Sequence, residues 1–215
     1  MFIGHFAVAY LFIALFPGVP PLVPLVGVSF PDLLWPFLVL AGIEKIRVNP
    51  ETPLQKGIVF ESYPYSHSLL IGTVIAVVPG LALGYFIAPL AGLVFIIASA
   101  SHWILDGVVH LKDLPLLGFG KDRTFGFGLW RWGGIAFFVE LLFYAIMTIL
   151  VVSRGFVLPL LALGIVYHLI NANSFFGFTR KNPTATPRAY ALLTLIGFVP
   201  FILIASWIFA SGGWP

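Results

Sequence analysis

Residues 89–110 read PLAGLVFIIASASHWILDGVVH. Hydrocarbon would accept nearly all of the first half, but the second half sets His102, Asp106 and His110 at intervals of four. About 20 mainly apolar residues at 1.5 Å each cross a bilayer core of about 30 Å. The stretch therefore predicts a membrane-crossing helix. Ionisable side chains inside such a helix are costly and turn toward a protein interior or a wet cavity. At this spacing the three side chains drift by only about 80° around the helix, so they share a face.

Similar apolar runs fall at 2–17, 22–43, 68–88, 132–153, 157–174 and 189–210. Hydrophobic residues make up 60% of the chain and charged residues 9%, against about 25% charged in soluble domains. Mean hydropathy is +1.06. The expected fold is all-α: one polytopic helix bundle over 1–215, with about seven transmembrane helices and no separate soluble domain. Pro24, Pro31 and Pro36 predict a broken or kinked second span. The first two runs are therefore also readable as a re-entrant hairpin on six full spans. The N-terminal run lacks the basic flank and cleavage site of a signal peptide and reads as a retained segment. Cysteine is absent, which excludes disulfides and thiolate metal sites.

With seven spans, segments 44–67, 111–131 and 175–188 lie on one side of the membrane. They hold ten of the eleven Lys and Arg residues, and Arg154 alone lies on the other side. The positive-inside rule makes these three loops cytoplasmic, with the N-terminus in and the C-terminus out. The expected location is a cytoplasmic membrane. His5, Glu44, Glu61, His67, His102, Asp106, His110, Glu140 and His168 then all fall toward the cytoplasmic half, with Asp32 nearer the middle.

Imidazole and carboxylate together suit zinc or another divalent first-row metal, and such an ion activates water at neutral pH. His102, Asp106 and His67 are the leading ligand candidates, with His5, Asp32 and His110 next. The competing reading of His102 and Asp106 is a structural His–Asp hydrogen bond. His168 reads as an interhelical hydrogen-bonder. Asp32 reads either as a helix cap, with Ser29 capping the turn at Pro31, or as a ligand or general base. Glu140 in FFVELLF needs a partner, Arg131 or a histidine being the nearest in kind. The loop 111–132 is basic, glycine-rich and aromatic, and reads as an interfacial flap near anionic headgroups. Its GFGKD fails the P-loop spacing, and no nucleic-acid module is present.

His5, PDLLW at 31–35, YPYSHSLL at 63–70 and SHWILDGVVHLKDLPL at 101–116 resemble a family of bacterial inner-membrane proteins assigned as metal-dependent hydrolases. That family carries P-D-x-D, H-R-G-x-T-H-S and S-H-x3-D elements in this order. GFGLW at 126–130 and the Glu140 helix resemble one branch of it. The likeness covers roughly the first 150 residues. It implies a polar set of His5, Asp32, His67, His102 and Asp106. Two positions depart: SYPYSHS lacks the first His and the Arg, and Leu34 replaces the second Asp. Glu61, Glu44 or His110 would have to stand in for them. More distantly, H-x3-D on helices is similar to the all-helical zinc phospholipase C and nuclease group, which implies zinc and phosphoester cleavage.

The resulting expectation is hydrolysis of a phosphoester or other ester in an amphiphilic, lipid-like substrate. Zinc is the expected metal, manganese the alternative, and Asp32 or Glu140 the base. The rival readings are an ion- or proton-coupled transporter, a non-catalytic membrane scaffold, and a haem protein ligated by His67 and His102.

Overall fold

The computed structural model describes residues 1–212. Its elements run α1 (Ile3–Leu15), α2 (Leu22–Leu40), β1 (Lys45–Val48), β2 (Ile58–Ser62), α3 (Pro64–His67), α4 (Leu69–Phe86), α5 (Pro89–Val109), β3 (Leu114–Pro115), β4 (Thr124–Phe125), α6 (Gly134–Val151), α7 (Arg154–Ile170), α8 (Asn173–Phe176) and α9 (Pro187–Ser211). The strands form two small antiparallel hairpins, β1–β2 and β3–β4. The fold is all-α in substance. α2, α4, α5, α6 and α9 are each long and apolar enough to cross a membrane.

The expected count of seven such helices is not met. α1 has 13 residues and α7 has 17, so they rise about 20 and 26 Å. The run Pro17-Gly18-Val19-Pro20-Pro21 cannot continue α1. The outer faces suit lipid: Val78, Leu81, Tyr85 and Phe86 of α4 are all more than two-thirds exposed. Water would not tolerate such a contiguous surface on a monomer, and the helices together suit a multi-pass membrane protein.

α1 is the central post of the bundle. Ile3, His5, Phe6, Ala7, Ala9 and Tyr10 are buried on it, and it packs against α2, α5, α6 and α7. Phe6 stacks on Phe201 of α9 with ring centroids 3.8 Å apart. α4 and α5 meet backbone to backbone, because a Cβ at Gly92 would come within 2.3 Å of the Gly80 carbonyl. Small residues permit such close approach where lipid supplies no hydrophobic drive. Gly27 does the same for α2, where a Cβ would sit 2.8 Å from Ala98 of α5.

α2 is one continuous helix, so of the expected broken or kinked span the broken form is not seen. Pro31 and Pro36 lie inside the helix, and Ser29 caps nothing: its hydroxyl is buried without a hydrogen-bond partner among the described residues. Pro31 has no N–H for the Gly27 carbonyl, and a neighbouring helix supplies a bond in that turn: the next carbonyl, that of Val28, accepts from His102 Nδ1 at 2.7 Å. Freed or loosened backbone groups re-paired by a neighbour let a proline helix stay whole.

The three basic segments converge at one end. Asn182 N donates to the Pro50 carbonyl at 2.9 Å, and Leu70 N donates to Leu116 at 3.0 Å. Tyr190 hydroxyl donates to Gln55 at 3.0 Å. Among the described residues, the opposite end carries the short connections α1–α2, α4–α5 and α6–α7.

Candidate metal centre

Asp106 stands at the centre of five polar side chains drawn from four elements. His102 comes from the same face of α5, His110 from its C-cap, His5 from α1, His67 from α3 and Asp32 from α2. All but Asp32 are buried, and the Asp32 side chain is 18% exposed. The sequence placed His102, Asp106 and His110 together, and they do meet. His5, Asp32 and His67 join them.

The two oxygens of Asp106 face different company. Oδ1 receives the Met1 amino nitrogen at 2.5 Å and lies 3.1 Å from His5 Nε2. Oδ2 lies 3.1 Å from His102 Nε2, 3.5 Å from His110 Nε2 and 3.9 Å from His67 Nε2. Asp32 closes the group, with Oδ1 3.3 Å from His67 Nε2 and Oδ2 3.7 Å from His102 Nε2. The His5 and His102 rings stack at 3.8 Å.

Three of these imidazoles have their other nitrogen engaged. His102 Nδ1 can only donate to the Val28 carbonyl, which is an acceptor. His67 Nδ1 lies 2.7 Å from Ser66 Oγ, whose own hydrogen goes to Glu44 Oε2 at 2.6 Å. His110 Nδ1 lies 2.9 Å from Asp113 Oδ1. A neutral imidazole that donates through Nδ1 carries a lone pair on Nε2. In their neutral form the three rings would aim lone pairs at carboxylate oxygens, acceptor against acceptor; His67 Nε2 lies 3.3 Å from Asp32 Oδ1, and His102 Nε2 has no hydrogen-bond partner among the described residues. Only a cation or added protons relieve this arrangement.

The distances fit a metal ion. Ligands about 2.05 Å from zinc in a tetrahedron lie about 3.4 Å from one another, and the contacts above fall between 3.1 and 3.9 Å. Two triads could hold an ion, His5–His102–Asp106 and Asp32–His67–His102. A backbone carbonyl or carboxylate behind each ligand histidine is the usual support of such sites. Haem does not fit, because the His67 and His102 rings stand edge to face with centroids 5.2 Å apart, leaving no room for a macrocycle between them.

Glu140 is paired, though not with Arg131 or a histidine. Its Oε1 accepts from the Phe2 and Gly4 backbone N–H groups at 2.5 and 3.1 Å. It anchors the open amide end of α1, where a carboxylate is favoured, and so sets the height of His5. His168 is the interhelical bonder expected: Nε2 lies 2.9 Å from the Phe137 carbonyl.

The loop after α5 folds back onto the cluster. Phe127 N donates to the Gly107 carbonyl and Gly128 N to the His110 carbonyl, both at 2.8 Å, closing the C-terminus of α5. Gly126 has φ +151, and a Cβ there would meet the His110 carbonyl at 2.3 Å. This return lays Trp130 on the His110 ring at 4.5 Å. Burial raises the Tyr63 phenol well above its ordinary value, and the charges of Asp113, Asp106 and Glu44 add to that. It stays neutral 3.3 Å from His110 Nδ1. Desolvation of Asp122 is outweighed by the backbone N–H groups of Gly118 and Leu117, which hold its carboxyl below the usual range.

Above the cluster opens a cavity of about 590 Å³. Asp32, His67, Asp106, His110 and Glu140 line it, with Trp35, Phe60, Trp130 and Tyr190 as aromatic walls. Ile170 of α7 and Ile196 of α9 line it too, and both are mostly exposed on the outer face of the bundle. No Lys or Arg is among its lining residues.

Sequence reading missed Glu44 as the support of His67, Asp113 as the support of His110, and Trp130. The adjacent pair Ser66-His67 and the spacing His110-x2-Asp113 were the available signals. Compared with known proteins, the chain matches no family model, no curated protein and no solved structure.

Proposed function

We propose that the chain is a membrane-embedded metal-dependent hydrolase that cuts a phosphoester or other ester in a lipid-like molecule. The observation that carries this reading is the convergence of imidazole Nε2 atoms on Asp106 and Asp32 at the floor of a large cavity. His67, His102, Asp106 and Asp32 would hold the ion, with His110 next to them. His5 donates to Asp106 Oδ1 and fixes the carboxylate. Zinc suits the mixed imidazole and carboxylate set best, and manganese is the alternative. A bound divalent ion would polarise the scissile ester and lower the pKa of attacking water. Asp32, the most solvent-reachable member, would be the proton acceptor, through whichever carboxylate oxygen the ion leaves free. Glu140 lines the same cavity, but its Oε1 already takes two backbone N–H groups, so the base role goes to Asp32.

The cavity supports an amphiphilic substrate. Its polar floor takes the ester, and its aromatic and aliphatic walls take the chain. Ile170 and Ile196 put one wall on the lipid-facing surface, a route for entry from the membrane. The convergence of the three basic segments at the cavity end supports seven crossings, with that end cytoplasmic in a cytoplasmic membrane. Tight packing beneath the cluster, where Phe6, Tyr10, Ile13 and Leu25 are buried, favours a dead-end site over a conduction path.

The test is metal content by mass spectrometry of detergent-purified protein beside His102→Ala/Asp106→Ala. Stoichiometric zinc or manganese, lost in the variant, is expected, followed by turnover of a vesicle-borne ester. Absence of metal after reconstitution with divalent ions would overturn the reading. Proton-coupled uptake in liposomes, lost on Asp106→Asn, would replace it with transport.

A further inference from the structure

Glu44 lies outside the cavity lining and touches no metal-facing atom, yet it is 1% exposed. All three hydrogen bonds of its side chain run to the turn that carries His67. Oε1 accepts from the Tyr65 and Ser66 backbone N–H groups at 2.8 and 2.9 Å. Oε2 accepts from the Ser66 hydroxyl at 2.6 Å. The Ser66 oxygen then lies 2.7 Å from His67 Nδ1.

This chain of bonds has a direction. A carboxylate has no hydrogen to give, and a hydroxyl has only one. The Ser66 hydrogen is committed to Glu44, so Ser66 Oγ can only accept from His67 Nδ1. The proton of His67 is therefore held on Nδ1, and Nε2 presents its lone pair to the space between Asp32 and Asp106. With Ser66 reversed, the same ring would carry its proton on Nε2. It would then be a hydrogen-bond donor to Asp32 and no ligand at all.

We infer that Glu44 and Ser66 form a polarity relay that selects the metal-binding tautomer of His67. Both are positioning residues, and the inference rests on the metal-centre reading above. Glu44→Gln tests it sharply. A glutamine keeps one oxygen for the two backbone N–H groups, so the turn stays bonded. Its other terminus is an NH2 group, which donates to Ser66 Oγ and turns the hydroxyl hydrogen toward His67 Nδ1. The relay runs backwards with hardly a change in shape.

The experiment reads the tautomer directly. Metal-free protein labelled with ¹⁵N-histidine, in detergent, is examined by long-range ¹H–¹⁵N correlation, with His67→Gln assigning the signal among five histidines. The wild-type ring is expected protonated on Nδ1, and the Glu44→Gln ring on Nε2. Zinc affinity, measured by competition with a chelating dye, is expected to fall about 10- to 100-fold in Glu44→Gln, the range for lost ligand support. Ser66→Ala removes the relay without reversing it, and is expected to give a smaller loss and a mixed tautomer. It also serves should Glu44→Gln fail to fold. An Nε2-protonated wild-type ring, or an unchanged ring in both variants, overturns the inference. If the tautomer reverses but wild-type protein binds no zinc, the relay stands and the metal reading falls.

Discussion

Replacing Asp32 by Asn separates a metal centre from a structural cluster of ion pairs, because the two readings predict opposite signs. The recorded partners of Asp32 are His67 Nε2 at 3.3 Å and His102 Nε2 at 3.7 Å. If those rings are imidazolium ions paired with the carboxylate, Asp32→Asn strands buried charge, costing about 3–5 kcal/mol. In a chain of this size that lowers the melting temperature by roughly 6–20 °C at about 2–4 °C per kcal/mol. If the rings are neutral ligands with bare Nε2 lone pairs, the Asn side-chain NH2 donates to one of them. The metal-free variant then melts at or above the wild-type temperature. Zinc reverses the order. At zinc a hundredfold above Kd, wild-type protein gains about 2.7 kcal/mol, or roughly 5–11 °C. A variant that binds a hundredfold more weakly gains only about 0.4 kcal/mol, or roughly 1 °C. The assay is thermal unfolding in detergent, with chelator and with zinc. A metal-free Asp32→Asn protein melting well below wild type, with no zinc shift in either, would refute the metal centre.

The rest of the bundle makes further predictions. Gly92→Val drives a side chain into the Gly80 carbonyl and should cost about 1–3 kcal/mol as overpacking, read as a lower melting temperature with chelator present. Tyr144→Phe removes the bonds to the Leu160 carbonyl and Tyr10 hydroxyl. It should destabilise by about 1–2 kcal/mol and leave zinc affinity unchanged, since both bonds lie away from the cluster. Gly126→Ala collides with the His110 carbonyl, so it should lift Trp130 off His110, weaken zinc binding and change tryptophan fluorescence. Zinc stabilisation should also fade as pH drops through the imidazole range, because protons compete for the same lone pairs. A titration of the zinc-induced melting shift from pH 8 to 5 measures it, and a flat profile would argue against histidine ligation.

The sequence carried the long apolar runs and the α5 stripe plainly, because both depend only on local periodicity. The seven runs became seven helices, but two are too short to count by length, since proline and polar caps trim what hydropathy averages over. The span expected to be broken or kinked is unbroken, and the bond that ties its Pro31 turn to a neighbouring helix comes from His102, 74 residues away. Ser29 was therefore free of the capping role that its place before Pro31 suggested. His5 and His67 entered through the side of the membrane they share and through resemblance, since nothing local ties α1 or the α3 turn to α5. Glu140 was legible as a carboxylate needing a partner. The partner itself was not, because the donors are backbone N–H groups, which every residue but proline offers.

The buried central position of α1 also bears on how the molecule is made. α1 is the first of the described helices to be synthesised, yet Glu140, which holds its amide end, follows 138 residues after Phe2, and Phe201, which stacks on Phe6, comes later still. A helix of 13 residues is too short to span the bilayer core comfortably by itself, and such distant contacts form slowly. During synthesis α1 can meet α2 and α5 early, but its amide end and its Phe6 face stay unpartnered until α6 and α9 arrive. His5 reaches its final height against Asp106 once Glu140 has closed on the amide end of α1, so the last adjustment of the polar cluster depends on a helix made after all of its members.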